Sequence, residues 1–307
     1  MSSMDKISFH YELSEEQKVK KKQLVAKLLA HPYVETWLKE QGLDEHFVEA
    51  HSGKFSDWVK VKEKCEHCEG LLFCRQPQRG AYLDLYVDGF LQNRLTRCAY
   101  VRQREEQFAH KKYYRQADMN EEMLLVNIAR LDLKKESADY KAVVMEVTQN
   151  LMDETKVKGV YLCGKPGVGK TYLAAGMTNF YARRNVPCAF VHVPKLISDL
   201  KLMFQDPDGM ERKLNMLKRV EVLVLDDIGG ESITSWSRDD ILLTILEARM
   251  QAKKKTIFTS NYAMKDLKER LRVTTNKSSE PIAAERLMER IKALSDEIFV
   301  KGETRRF

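Results

Sequence analysis

The stretch Gly164-Lys165-Pro166-Gly167-Val168-Gly169-Lys170-Thr171 constrains the fold of this chain more than any other segment. It fits G-x-x-x-x-G-K-[ST], follows a strand-like run at 159–163 and leads into a helix-like run at 172–177. Strand, glycine loop and helix in that order form the context a phosphate-cradling loop requires. The glycines let backbone N–H groups turn toward phosphate oxygens, and the helix start adds its dipole and its free N–H groups. Lys170 then reaches the β- and γ-phosphates, and the Thr171 hydroxyl helps hold Mg2+. A nucleoside triphosphate is the expected ligand.

From residue 159 onward, strand-like runs at 159–163, 188–193, 220–225 and 256–260 alternate with helical patterns. That alternation predicts an α/β fold, a parallel sheet with helices on both faces. The run Val222-Leu223-Val224-Leu225 ends in Asp226-Asp227, and chemistry in open α/β sheets sits at the carboxyl ends of strands. Asp226 is placed to hold Mg2+ and Asp227 to orient or deprotonate the attacking water. Asn261 closes the next strand, where its amide could meet the γ-phosphate or that water; Ser-Asn is also ordinary turn chemistry. On the amphipathic run 284–291, Arg290 or Arg286 could act as an arginine finger toward a neighbouring subunit, or simply form surface i,i+4 pairs. Arg305 offers one more cation for the nucleotide.

The first half reads differently. Residues 13–50 show helical spacing broken at His31-Pro32, with helices expected over 33–41 and from 44 toward 61. The run 82–87 alternates like a strand and Asp88-Gly89 is a turn signal. Residues 65–98 form a loop-rich unit with little core, and it carries Cys65, Cys68, Cys74 and Cys98. Four thiols at this density suit tetrahedral Zn2+, with His67 able to replace one, whereas reduced unliganded thiols are the plain alternative. Cys163 and Cys188 fall in strand-like runs and read as core. The expected organisation is a mainly helical domain over 1–105 with the zinc module at about 65–98, a linker over 106–135, and an ATPase domain over 136–307.

With 307 residues and 43% hydrophobic content, the chain can build two cores. No apolar run approaches the roughly 20 residues of a membrane helix, and the N-terminus lacks a signal-peptide apolar region. A cytoplasmic protein without a membrane partner is expected. The net charge of +7 permits contact with nucleic acid without proving it. Ser235-Trp236-Ser237-Arg238 and Lys253-Lys254-Lys255 are the candidate contacts for single-stranded DNA, against the reading of solvated loops.

Taken together, GKPGVGKT, LVLDDIGGES, FTSN, ERLMERI and the terminal GETRR resemble the AAA+ ATPases. Within them they resemble the DnaI-type bacterial replicative helicase loaders, relatives of the DnaC loaders. The resemblance covers about 130–307 through specific motifs, and the first half through its organisation alone. It implies that Gly164 to Thr171 bind ATP, that Asp226 and Asp227 form the Walker B pair, and that Asn261 is sensor 1. It puts Arg290 at the arginine-finger position and Arg305 near sensor 2. Many AAA+ proteins have Asp-Glu where this chain has Asp-Asp, which would suit a slow, switch-like ATPase. The implied cofactors are ATP, Mg2+ and Zn2+. The implied partners are a hexameric replicative helicase, single-stranded DNA, other primosome proteins and further copies of the chain. The alternatives are a transposition helper ATPase that binds duplex DNA and a transposase, a non-enzymatic adaptor, and a metabolic P-loop kinase.

Overall fold

The computed structural model describes residues 14–153, 155–275 and 279–304. The chain divides into two compact units, Met1–Glu106 and Gln107–Phe307.

The first unit starts with α1 (Glu15–Leu29), whose N-terminus carries a reciprocal cap between Ser14 and Gln17. Pro32 occupies the first turn of α2 (Pro32–Gln41), where its missing N–H costs nothing. The single helix expected from 44 is two, α3 (Glu45–Ala50) and α4 (Ser52–Glu63), separated at His51. The turn signal at Asp88-Gly89 joins β1 (Ala81–Asp88) to β2 (Phe90–Arg97) as an antiparallel hairpin. Hairpin and helices share one core of Val34, Trp37, Phe55, Trp58, Leu85 and Leu91. Two indoles fix the docking: Trp37 Nε1 donates to the Leu85 carbonyl at 3.1 Å, and Trp58 Nε1 to Asp84 Oδ1 at 2.7 Å. Each ring thus buries its apolar body while its N–H finds an acceptor. Helix α5 (Ala99–Phe108) follows.

The second unit is built on β3 (Tyr114–Ala117), β4 (Gly159–Cys163), β5 (Cys188–His192), β6 (Val222–Asp226), β7 (Lys255–Ser260) and β8 (Ser295–Phe299). They form a six-stranded parallel sheet in the order β3-β5-β6-β7-β4-β8. The central strands are almost entirely buried because both faces are covered, and β4, β5 and β6 are accordingly apolar along most of their length. Successive residues alternate between two cores. Val160, Leu162, Phe190, Val224 and Ile257 face α7 (Ala138–Met152) and α8 (Lys170–Ala182). Tyr161, Cys163, Val191, Leu225 and Phe258 face the opposite layer. That layer comprises α9 (Val193–Leu202), α10 (Pro207–Arg219), the π-helix Trp236–Leu243, α11 (Thr244–Gln251), α12 (Met264–Arg272) and α13 (Pro281–Leu294). Cys163 and Cys188 are fully buried, and burial pushes both thiols up to about 12.

The stretch 106–135, expected as a linker, instead contributes structure to this unit. Its polar run supplies the edge strand β3, which pairs with β5, and the short helix α6 (Glu121–Leu125). Asn179 on α8 ties it down, accepting from the Tyr114 hydroxyl at 2.7 Å and donating to the Met123 and Val126 carbonyls. An edge strand tolerates polar residues because one of its sides needs no partner strand. No helix among the described residues is long and apolar enough to cross a membrane.

Candidate functional site: a phosphate loop at the carboxyl edge of the sheet

Strand β4 delivers the chain to the glycine loop and α8 carries it away. Gly164, Gly167 and Gly169 all have positive φ, at 150°, 86° and 99°. A Cβ at Gly164 would meet the Val300 carbonyl oxygen at 2.4 Å, and one at Gly167 would meet Thr304 Oγ1 at 2.2 Å. The loop is therefore glycine-rich for two reasons, backbone conformation and the close passage of the segment after β8. Gly169 caps α8 without a side-chain acceptor, so the first N–H groups of the helix remain available to an anion.

Lys170 is 7% exposed. Its Nζ donates to the carbonyls of Gly164 and Lys165, both at 2.8 Å, and to Asn261 Oδ1 at 2.9 Å. Asn261 in turn donates from Nδ2 to Asp227 Oδ1 at 3.0 Å. A single side-chain amide thus joins the loop lysine to the second carboxylate after β6. Asp227 itself has φ 57°, a left-handed conformation that Asp tolerates better than most residues. Asp226 is 6% exposed and accepts from Thr259 Oγ1 at 2.7 Å, while that same hydroxyl oxygen accepts from the Asp227 amide at 2.9 Å. The sheet register makes this pairing possible, since β6 and β7 are neighbours. The structure brings together Lys170, Asn261, Asp226 and Asp227, with Thr171 on the first turn of α8. Four oxygen donors of hard character sit within that group, which is the chemistry Mg2+ prefers.

Two residues of this group escape a reading by motif. Thr259 bridges the two aspartates, and His192 brings Nδ1 to 3.4 Å from Asp226 Oδ2. His192 ends β5, so its position at a strand's carboxyl end beside β6 was the available signal. A cavity of about 420 Å3 also opens beside Gly169, lined by Leu131, Leu133, Tyr140, Tyr172 and the carboxylates Asp132 and Glu136. Its walls come from a short irregular segment and from α7 and α8, which no local pattern announces as one site.

The arginines are placed otherwise. Arg290, on α13, pairs with Glu247 at 3.2 Å and Glu289 at 3.6 Å, and its buried Nε has no hydrogen-bond partner. Arg286 is exposed. Arg305 lies outside the described residues. Arg238, a candidate DNA contact, is fully buried instead, bound by Asp239, Glu280 and the Leu271 carbonyl. Those carboxylates hold its guanidinium well above the ordinary range, so it serves the packing of the π-helix and is closed to DNA.

The cysteine module shows no preformed metal site. Among the described residues, no three His, Cys, Asp or Glu side chains converge to hold a metal. Cys65, Cys68, Cys74 and Cys98 are unpaired thiols, and His67 is exposed. Three of the cysteines border one short segment: Gln76 Nε2 donates to Cys65 Sγ, the Gly80 amide donates to Cys74 Sγ, and the Cys98 amide donates to the Gly80 carbonyl. The N–H groups on Cys74 hold its pKa below the ordinary thiol range. Donor chemistry thus suits a soft metal, and donor convergence does not.

A family model described as IstB-like ATP binding protein matches residues 80–307. The replicative helicase loader DnaI of Bacillus subtilis is 32% identical over 290 residues, which is 92% of each chain. The loader DnaC of Escherichia coli K12 is 30% identical over 105 residues, 34% of this chain and 42% of that one. A crystal structure of DnaI aligns with TM-score 0.54 at 36% identity, covering 62% of this chain and 98% of that one. The phosphate loop, the paired aspartates and the similarity across both units place this chain in the IstB-like ATP-binding family, among the DnaI-type replicative helicase loaders.

Proposed function

We propose that this protein uses an ATP-driven switch to load a hexameric replicative helicase onto single-stranded DNA during primosome assembly in the cytoplasm. The observation that carries the reading is the Lys170–Asn261–Asp227 chain of hydrogen bonds in a molecule similar to a helicase loader over 92% of its length. The glycine loop would hold the phosphates through its N–H groups. Lys170 would exchange Asn261 for the β- and γ-phosphates, which frees the amide to report the state of the nucleotide. Thr171 and Asp226 would hold Mg2+, whose charge offsets that of the phosphates. Asp227 would orient the attacking water for hydrolysis to ADP and phosphate. With its nucleotide groups engaged to one another, an isolated subunit should turn over slowly. Arg290 would complete a neighbour's site only after release from Glu247, so assembly with the helicase or with other copies should accelerate hydrolysis.

The first unit would grip the helicase. Its apolar side chains Leu72, Phe73, Phe90 and Leu95 are all more than half exposed, the kind of surface a partner covers. Zinc belongs to the proposal as the ion that would draw Cys65, Cys68, Cys74 and Cys98 together. Metal analysis after chelator-free purification should find about one zinc per chain, and finding none ends that part.

The transposition-helper reading shares the family model. The similarity to the loader extends through the first unit, which favours the helicase. Light scattering on mixtures with the replicative helicase tests the reading. A complex that forms with ATP and fails with Lys170→Ala supports it, and capture of a transposase with no helicase complex reverses it.

A further inference from the structure

A second cavity, of about 370 Å3, lies at the opposite edge of the sheet from the phosphate loop. It sits where α7, α8 and α11 end and where β6 and β7 begin. Phe180 and Tyr181 form its aromatic wall, packed edge to face at 5.5 Å. The Arg184 guanidinium lies over the Phe180 ring at 3.5 Å, and Lys255 Nζ over Tyr181 at 5.6 Å. Lys156, Lys253 and Lys254 complete the basic lining, and the carboxylates Asp153 and Glu221 also border it. Lys156 is paired with Asp296, and the neighbouring Lys254 with Glu221. Arg184, Lys253 and Lys255 have no carboxylate within ion-pair distance among the described residues.

Helix C-termini attract cations, so some positive charge is expected here. The lining exceeds that need. Lys255 belongs to β7, not to a helix end, and is half-buried. Burial first and the charge of Lys156 second depress its pKa against the opposing pull of Asp153, so an anion in the cavity would relieve both depressing effects. Planar stacking surface beside cations that form no ion pair among the described residues, in a space the size of one nucleotide unit, is the combination that recognises single strands: a base on the aromatic and guanidinium faces, phosphates on the lysines. A duplex keeps its bases stacked inside and would present only phosphates.

We infer that this cavity is a docking site for single-stranded DNA, with one base against Phe180, Tyr181 and Arg184 and the adjoining phosphates on Lys253 and Lys255. The choice of DNA rests on the loader reading. The site shares no residue with the phosphate loop, so the two can be separated by mutation. Lys253 has φ 50°, a backbone state that asparagine accepts, so Lys253→Asn removes charge without strain.

Fluorescence anisotropy with a labelled oligo-dT, followed over a salt series on the full chain, tests the assignment. The variant Arg184→Gln/Lys253→Asn/Lys255→Gln should bind at least about 30-fold more weakly. The slope of log K against log salt should shrink by about 1.4, as the two lost phosphate contacts of Lys253 and Lys255 predict. Arg184→Lys alone should keep the slope and lose about fivefold in affinity, because charge survives and stacking does not. Photocrosslinking from 4-thiodeoxyuridine in the strand should mark the peptide bearing Phe180 and Tyr181.

Unchanged affinity and slope in the triple variant, with native melting and ATP binding, would overturn the site and return its cations to complementing helix ends. Equal loss of polyglutamate and oligonucleotide binding would also overturn it, since charge alone would then suffice. No binding by the wild type has the same consequence. A helicase complex that forms normally while the triple variant binds DNA normally removes this site and leaves the loader reading intact. Absence of any helicase complex removes the loader reading, and the titration still decides the site.

Discussion

At the scale of single residues, three side chains carry most of the account. Lys170 holds the loop, the asparagine and, through it, Asp227. Lys170→Ala should weaken ATP binding by about 100-fold, a loss of about 2.7 kcal/mol measurable by titration with a fluorescent analogue. Asp227→Asn keeps the shape and the Asn261 neighbour while removing the charge proposed to orient water. ATP affinity should stay within about threefold and stimulated turnover fall by about 100-fold in a phosphate-release assay. Arg249 acts on stability. It is fully buried, its guanidinium is pushed down to about 9 by burial, and it donates to the Leu217, Val220 and Lys255 carbonyls and to Thr256 Oγ1. Arg249→Met strands those acceptors in the core and should cost about 3 kcal/mol in urea unfolding. A cost below about 1 kcal/mol would show that the carbonyls find other donors.

At the scale of elements, strands β4 and β7 approach so closely that a Cβ at Gly159 would meet the Thr256 carbonyl oxygen at 1.9 Å. Gly159→Ala should lower Tm by on the order of 10 °C, since backbone cannot give way as a side chain can. The stretch before β3 supplies a pH dependence. His110 is buried with Nε2 2.9 Å from the Leu124 carbonyl, and burial, reinforced by Arg183, lowers its pKa below the ordinary 6.5. The unfolded chain therefore binds the proton more readily, and stability is lost as pH falls below about 6.5. Melting at pH 7 and pH 5 should show a loss that shrinks in His110→Gln.

These elements also show what the sequence could and could not disclose. Strands β4, β5 and β6 were legible because burial on both faces makes them nearly continuous apolar runs, and β7 through its β-branched and aromatic stretch Thr256-Ile257-Phe258-Thr259. The edge strands β3 and β8 were not, because Tyr114–Ala117 and Ser295–Phe299 mix polar residues and carry no alternation. The P-loop and both aspartates announced themselves by spacing. Thr259 and His192 did not, because their meaning comes from strand order, which local sequence does not encode. Arg238 misled for a related reason: a basic residue beside a tryptophan looks solvent-facing until Asp239 and Glu280 are seen to enclose it.

At the scale of the whole molecule, the proposal gives the two units different tasks. One carries exposed apolar side chains and a thiol-rich segment, the other a phosphate loop whose Lys170 is linked through Asn261 to Asp227. The proposal is that ATP breaks that internal linkage and thereby sets the state in which the helicase is held. The most direct measurement is retention of the helicase hexamer on covalently closed circular single-stranded DNA, which a closed ring cannot reach by threading. The account predicts retention with this protein and ATP, and loss of retention with Lys170→Ala. Equal retention without the protein, or with Lys170→Ala in its place, would contradict it.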